Sequence, residues 1–192
     1  MSKTAPKILA WINCYGGWTP ELRHPVETIG YDQYLESIAN ALAALEGRIE
    51  AVYVSGGMRD PAGRTECETT IPEISRRLQR RGVSGLSMNA DEQSLTSITI
   101  ARKFLELWQA KYAGCIPLLF CDQARYETNA YVLKQFAETS RRDLPPIHEV
   151  LIPIPRLDNH PNSTPEKQAE KLRHLKEKGI EAVEKLEIEA RR

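Results

Sequence analysis

Residues 51–67 read AVYVSGGMRDPAGRTEC, and this stretch decides the fold of the chain. The apolar run Ala51 to Val54 predicts a buried strand that ends at Ser55-Gly56-Gly57, where a polar loop leads into a helix beginning near Cys67. Open α/β sheets build ligand sites from this order of strand, glycines, loop and helix. The glycines let a ligand approach the backbone, and the helix offers its N-terminal amides. The stretch therefore predicts the position of a site.

Composition places the chain among ordinary globular proteins. It has 192 residues, of which 41% are hydrophobic and 27% are charged, and this size suits one domain with a substantial core. Lys plus Arg number 26 and so do Asp plus Glu, so the formal net charge is zero. Because phosphate neutralisation needs a basic face, this balance argues against nucleic acid as the main partner.

The first residues, MSKTAPKILAWINCYGG, contain too short an apolar run for a signal sequence or a membrane span. We therefore expect a cytoplasmic protein without a membrane partner. The cysteines form no CxxC pair and the histidines are scattered, so we expect reduced, buried thiols and no metal site. The cysteines are Cys14, Cys67, Cys115 and Cys121.

Apolar runs alternate with helical patterns through residues 1–155, which we interpret as one domain. This alternation predicts an α/β fold, a three-layer Rossmann-like arrangement with helices on both faces of a mainly parallel five-stranded sheet in the order 3-2-1-4-5. The ligand crevice is then expected at the carboxyl ends of strands 1 and 4, where the winding reverses. Besides the strand in residues 51–54, strands are predicted at residues 7–14, 83–88, 116–121 and 148–154, the last at an edge of the sheet.

Helices are predicted between these strands at residues 31–47, 67–82, 95–108 and 126–136. We expect Gly82 to stop the second helix, and either Asp91 or Ser94 to cap the third, whose buried stripe starts at Leu95. The second helix ends in an arginine cluster that we expect to be solvated, formed by Arg76, Arg77, Arg80 and Arg81.

Residues 156–192 are predicted to form a linker and a long charged helix that starts at Thr164-Pro165-Glu166. Leu172, Leu175, Val183 and Leu186 line one side of this helix together with Gly179. The glycine either allows close packing or breaks the helix. The helix is expected to cover the sheet of the same domain, to mediate a homo-oligomer, or to do both.

Several short motifs in residues 7–155 resemble the SanA/YdcF-like family, bacterial proteins of largely undefined function. They are the VSGG sequence at Val54–Gly57, the acidic Glu66 near the second helix, and Asp91-Glu92-Gln93-Ser94 before a Ser/Thr-rich helix start. Arg125 stands where the family has a histidine after a strand end. The resemblance implies a Rossmann-like fold and a pocket for a small anionic or nucleotide-like ligand, with S-adenosylmethionine as a candidate cofactor or ligand.

Polar and glycine residues at the strand ends are the candidate site residues. Acid/base chemistry is expected from Glu66, Asp122 or Glu92, although a helix start also explains Glu66 and Glu92. Arg64 and Arg125 can grip an anion, and Arg64 can equally form a surface ion pair. The predicted ligand-binding residues are Asn13, Gly16, Gly17, Ser55, Gly56, Gly57, Arg64, Ser94 and Arg125.

These residues suggest a small-molecule-binding protein that acts as a hydrolase or transferase on a nucleotide-like or phosphorylated ligand. The alternative is a ligand-binding or regulatory module without turnover.

Overall fold

The computed structural model describes residues 5–14, 25–140, 147–152 and 165–190. Its strands form one sheet in the order β3-β2-β1-β4-β5, and all four neighbouring pairs are parallel. The predicted α/β, Rossmann-like character is confirmed, and β5 lies at an edge. The strands are β1 (Ile8–Asn13), β2 (Ile49–Ser55), β3 (Met88–Asp91), β4 (Ile116–Asp122) and β5 (His148–Ile152).

Helices connect consecutive strands, as parallel pairing requires. A short 3-10 turn, Gln123–Arg125, joins β4 to the helix that follows it. The helices are α1 (Pro25–Ala44), α2 (Glu66–Gln79), α3 (Ser97–Lys111), α4 (Tyr126–Ser140), α5 (Pro165–Lys178) and α6 (Ile180–Glu189).

Alternate residues of β1 enter two separate cores. Ala10 and Ile12 pack beneath α1 and α2, whereas Leu9 and Trp11 pack on the opposite face with α3, α4, α5 and α6. Trp11 stacks on Phe104 of α3 at a centroid distance of 4.7 Å. Burial on both faces explains why β1 is apolar at every position from Ile8 to Ile12, as expected for a central parallel strand.

The third strand is displaced from its predicted position. Residues 83–88 were expected to form it, but β3 is Met88–Asp91 and pairs only with the end of β2. The backbone N–H of Val83 donates to the Leu78 carbonyl at 3.0 Å, so Val83 belongs to the C-terminal cap of α2. The side chain of Val83 is buried because it closes the core under that helix end. The predicted stop at Gly82, with φ +79°, is confirmed.

The predicted cap of α3 is also wrong. Thr96, rather than Asp91 or Ser94, caps the helix by accepting a hydrogen bond from the Thr99 N–H. Because α3 begins only at Ser97, Leu95 precedes it and is 39% exposed instead of contributing to the buried stripe.

Two of the four arginines at the end of α2 are not simply solvated. Arg77 is only 7% exposed, and its guanidinium contacts Asp32 at 2.6 Å and Glu36 at 2.8 Å, both on α1. Arg81 also pairs with Glu36. These ion pairs lower the pKa of Glu36, chiefly through its hydrogen bond from Arg77. They join α1 to α2 along the outer side of the first core.

Gly179 breaks the C-terminal helix into α5 and α6, with φ +84°. Leu175 and Val183, one from each helix, are buried in the core that contains Trp11, so this helical hairpin packs on the sheet of the same chain. Polar contacts also fix the hairpin to the start of α3. Lys171 donates to Ser97 at 2.6 Å, and Glu184 accepts from Arg102 and Thr99.

Removing the Arg77 guanidinium tests the ion pairs between α1 and α2. We expect Arg77→Met to lower the free energy of unfolding by about 1–2 kcal/mol, because two partly exposed carboxylates lose their shared cation. Arg76→Met is the matched control, since Arg76 is 53% exposed and pairs with Glu73 of its own helix. We expect it to change stability by less than about 0.5 kcal/mol in urea unfolding. Equal losses for both variants would contradict the interpretation.

Candidate functional site

The carboxyl ends of β1, β2 and β4 lie at one edge of the sheet. Asn13 ends β1 and pairs in register with Ser55 of β2, while Asp122 ends β4 on the other side of β1. Gly56 follows β2 directly, so it shares this edge with Asp122 as the sequence predicted. Gly16 and Gly17, the other predicted members of the edge, lie outside the described residues.

Asp122 and Arg125 form a buried ion pair beside Asn13. The Asp122 side chain is 1% exposed and accepts a hydrogen bond from Nε of Arg125, whose side chain is 16% exposed. Nη1 of Arg125 reaches Oδ1 of Asn13 at 3.4 Å. Burial lowers the pKa of the Arg125 guanidinium, but its acidic neighbours, Asp122 foremost, together outweigh burial and hold this pKa above its ordinary value. The guanidinium is therefore a fixed cation.

Two donors in the group formed by Asn13, Asp122 and Arg125 have no hydrogen-bond partner among the described residues. They are Nη2 of Arg125 and Nδ2 of Asn13, and both atoms are buried. Since Oδ1 of Asn13 faces a guanidinium donor, the orientation of the amide is fixed and Nδ2 is its donating end. Buried donors without an acceptor are uncommon in native proteins, so these two donors are suited to bind an oxygen atom of a ligand.

Tyr34 of α1 bridges the ends of β1 and β4 through its hydroxyl group. Its hydroxyl lies 2.6 Å from the Asn13 carbonyl oxygen and 3.1 Å from that of Phe120 in β4. Burial raises the pKa of Tyr34, so the phenol is neutral at physiological pH. Tyr34 thereby ties together the two strand ends that carry Asn13 and Asp122.

Glu66 lies beside Gly56 at the start of α2. It is the first helical residue after the Thr65 cap, and a Cβ added to Gly56 would lie 2.5 Å from its Oε2 atom. Glu66 contributes to the raised pKa of both Arg125 and Cys14, so its carboxylate lies within electrostatic range of both residues. A partly exposed carboxylate near an unpartnered guanidinium donor is an arrangement that can move a proton on a bound molecule.

Gly56 and Gly57 are accounted for by packing within the chain. The Gly56 N–H donates to Asp91 at 3.1 Å and the Gly57 N–H donates to Ser94 at 3.0 Å, both to backbone carbonyls. A Cβ added to Gly57 would lie 2.7 Å from the carbonyl oxygen of Glu92. The two glycines therefore let the loop after β3 and the first turn of α2 approach the end of β2.

Asp91 is a structural centre that the sequence reading treated only as a turn or cap. Its Oδ2 accepts from the Tyr53 hydroxyl at 2.8 Å, and its Oδ1 accepts from Lys103 and from the backbone N–H groups of Gln93 and Ser94. Burial raises the pKa of Asp91, but the hydrogen bonds from Ser94, Tyr53 and Lys103 outweigh it and hold the pKa below its usual value. The sequence signal for this arrangement is an aspartate at a strand end followed by polar residues, because the Asp91 carboxylate can then accept from backbone N–H groups two and three residues later.

Four of the predicted site residues lie outside the group around Arg125. Ser55 is fully buried between the strands, where its Oγ accepts from the Trp11 indole at 2.8 Å. Ser94 is buried at the β3 loop, and the Glu92 side chain is exposed. Arg64 lies in the exposed loop before α2 and pairs with Asp60 at 2.9 Å, so the surface ion pair is the arrangement that the structure contains.

Asn129 is a candidate that the sequence reading missed. It lies in the first turn of α4, four residues after Arg125 in the chain, and is 1% exposed. Among the described residues its Nδ2 has no hydrogen-bond partner. Its place in the first turn of the helix predicted directly after the end of β4 is the signal that could have found it, because ligands of open α/β sheets bind at these strand ends.

Metal and membrane sites receive no support from the described residues. No three His, Cys, Asp or Glu side chains in this part of the chain converge to hold a metal ion. The four cysteines are buried and free, as expected. None of the described helices combines the length and the apolar character needed to cross a bilayer.

Comparisons with protein-family models, curated proteins and solved structures found no match to this chain. The resemblance to the SanA/YdcF-like family stays a prediction, and the site is judged on its own geometry.

Gly56→Ala tests the close packing at the end of β2. We expect a loss of about 2 kcal/mol in the free energy of unfolding, because the new methyl group meets Glu66 and Cys14 below contact distance. Gly47→Ala is the control, since a Cβ there meets no atom within 4 Å. It should leave stability equal or slightly higher in urea unfolding. An unchanged Gly56→Ala variant would show that the junction is loosely packed.

The pH dependence of stability tests Asp91. Its folded pKa lies below the unfolded value of about 3.9, so its contribution is present above that pH and is lost as the pH falls through the folded pKa. We expect Asp91→Asn to cost about 2 kcal/mol at neutral pH, and we expect this difference from the natural chain to shrink below about pH 4. Glu92→Gln, at the exposed neighbour, should follow the natural chain throughout. A pH-independent difference for Asp91→Asn would argue against the ionised carboxylate as the stabilising form.

Proposed function

We propose that this protein binds a small nucleotide-like or phosphorylated ligand at the carboxyl ends of β1, β2 and β4, with S-adenosylmethionine as one candidate. The proposal depends on one observation above all, the Nη2 atom of Arg125. This atom is a buried donor on a fixed cation, and no acceptor from the described part of the chain contacts it. A bound oxygen would satisfy it.

The energetic argument concerns the unpaired donors. Leaving a buried polar donor without a partner costs about 1–3 kcal/mol, and more when the donor is charged. Asp122 holds the guanidinium in place before any ligand arrives, so little side-chain freedom remains to be lost on binding. Asn13 adds a neutral donor beside it. Together these residues favour an oxygen-rich, negatively charged group.

The position in the fold supports the same proposal. The chain order passes from β1 to β2 and β3 on one side and to β4 and β5 on the other, so the winding reverses between β1 and β4. Ligands of open α/β sheets bind outside the carboxyl ends of the strands at this point. Asn13, Asp122 and Arg125 all lie there.

For catalysis we assign the acid/base role to Glu66. Asp122 is committed to Arg125 and acts as its positioning residue, and the Glu92 side chain is exposed outside the group. Glu66 is partly exposed and lies within electrostatic range of Arg125. In a hydrolase or transferase it would accept the proton of an attacking water or hydroxyl group while Arg125 holds the negative charge of the substrate.

The second candidate is a ligand-binding or regulatory module without turnover. It is favoured by the small number of reactive groups, since no histidine or cysteine of the described residues is placed beside Arg125 as a nucleophile or base with an accessible side chain. Product formation separates the two candidates. With a ligand that binds, an enzyme yields product and its Glu66→Gln variant binds without turnover, whereas a binding module yields none.

A thermal-unfolding screen with AMP, ATP, glucose 6-phosphate and S-adenosylmethionine tests the binding proposal. A ligand at about 100 times its dissociation constant adds about 2.7 kcal/mol to stability. We expect at least one of these compounds to stabilise the natural chain. Arg125→Met should abolish the effect because it removes the fixed cation, and Asp122→Asn should weaken it because the guanidinium loses its support.

Arg64→Met is the matched control, because Arg64 pairs with Asp60 on an exposed loop outside the group. It should respond to the ligand as the natural chain does. Stabilisation that persists in Arg125→Met, or that is lost in Arg64→Met, would place the ligand elsewhere.

A further inference from the structure

We infer that Asn13 and Arg125 together hold one oxyanion across an opening of the sheet between β1 and β4, and that Tyr34 is the positioning residue that sets the separation of their two donors. This assignment rests on the proposed function and adds the way in which the ligand is held. Two features carry it, the point at which the central strands stop pairing and the side chains that lie there.

The sheet opens between β1 and β4 at its carboxyl edge. These two strands pair in parallel up to Ile12 and Phe120. Beyond that point each strand continues to pair on its outer side, β1 with β2 for one more residue and β4 with β5 for two. The central strands of the described sheet therefore run on past their mutual pairing. Asn13 of β1 and Asp122 of β4 lie on the two sides of the resulting opening.

The hydroxyl group of Tyr34 spans this opening from α1. It lies 2.6 Å from the main-chain carbonyl oxygen of Asn13 and 3.1 Å from that of Phe120, so it contacts one strand on each side. The Tyr34 side chain is fully buried. Because both distances lie within hydrogen-bond range, a shift of either strand would lengthen one of them. The hydroxyl group therefore fixes the separation of the two strand ends.

The two unpartnered donors lie on opposite sides of the same opening. Asn13 ends β1, whereas Arg125 follows β4, and Nη1 of Arg125 reaches Oδ1 of Asn13 at 3.4 Å. Nδ2 of Asn13 shares a carbon atom with Oδ1, and Nη2 of Arg125 shares one with Nη1. Among the described residues neither of these two nitrogen atoms has a partner. Two oxygen atoms of one carboxylate or phosphate group can therefore accept from both side chains.

The separation of the donors follows from the separation of the strand ends. Asp122 at the end of β4 holds the Arg125 guanidinium, and Asn13 is itself the last residue of β1. Tyr34 contacts the main chain of Asn13, so it acts on the ligand through the position of that residue. Without the hydroxyl group the strand ends are no longer held together, and an oxyanion bound to Arg125 loses its second donor.

A double-mutant cycle with inorganic phosphate as the probe tests this role. We expect phosphate to bind the natural chain in calorimetric titrations. Asn13→Ala removes one donor and should weaken binding by about tenfold, and Tyr34→Phe should have an effect of the same size. Because Tyr34 acts through Asn13, the double variant should stay within about threefold of either single variant. Independent effects would instead multiply to about a hundredfold loss.

Tyr31→Phe is the matched control. Tyr31 lies three residues earlier on α1 and is also fully buried, but its hydroxyl group lies 2.5 Å from Oγ1 of Thr70 in α2. Both tyrosine variants lose a buried hydrogen bond, so we expect similar losses of stability in urea unfolding. Only Tyr34→Phe should weaken phosphate binding, and Tyr31→Phe should stay within about twofold of the natural chain.

Three results would overturn the role of Tyr34 while the proposed site stands, provided that Arg125→Met abolishes binding. They are natural affinity in Tyr34→Phe, an equal loss of affinity in Tyr31→Phe, and a loss of about a hundredfold in the double variant. Failure of phosphate to bind the natural chain, or binding that survives Arg125→Met, would overturn the site together with the role of Tyr34.

Discussion

The first turn of α2 packs directly against the end of β2, and no side chain fits between them. Gly56 makes this contact possible, since its carbonyl accepts from the Cys67 N–H while its own N–H donates to Asp91. Cys67 in turn donates its thiol to the carbonyls of Val54 and Asp91. One junction therefore joins β2, β3 and α2, and it places Glu66 beside the end of β1. The geometry of the candidate site depends on this junction.

Much of the fold could be predicted because burial leaves a strong pattern in the sequence. β1 and β4 are covered on both faces, so they appear as apolar runs, and the long α3 shows its buried stripe. The errors occur where the pattern is weak. β3 is an edge strand of four residues with one buried side chain, whereas Val83 looked like strand because it closes a helix end. In both cases the conformation was determined by tertiary packing and not by the local secondary-structure propensity.

The position of the candidate site was predicted more completely than the roles of its residues. Strand-end residues such as Asn13 and Asp122 were identified because parallel strands bring their carboxyl ends to one edge. Their partners could not be read from the sequence, since contacts between Asp122, Arg125 and Asn13 depend on the rotamers adopted in the folded chain. Asn129 was missed because a polar residue inside a helix usually faces solvent, and only burial reveals its unpaired amide.

The hairpin of α5 and α6 has a consequence for how the protein is made. Leu175 and Val183 complete the core around Trp11 and Phe104. Along the chain, however, both residues follow all five strands of the sheet. All five strands precede α5 and α6 in the chain, so one face of the sheet stays incompletely covered during synthesis until residues 165–190 emerge. Such exposed apolar surface invites aggregation. The nascent chain is therefore expected to need protection, for instance by a chaperone, for longer than its size alone would suggest.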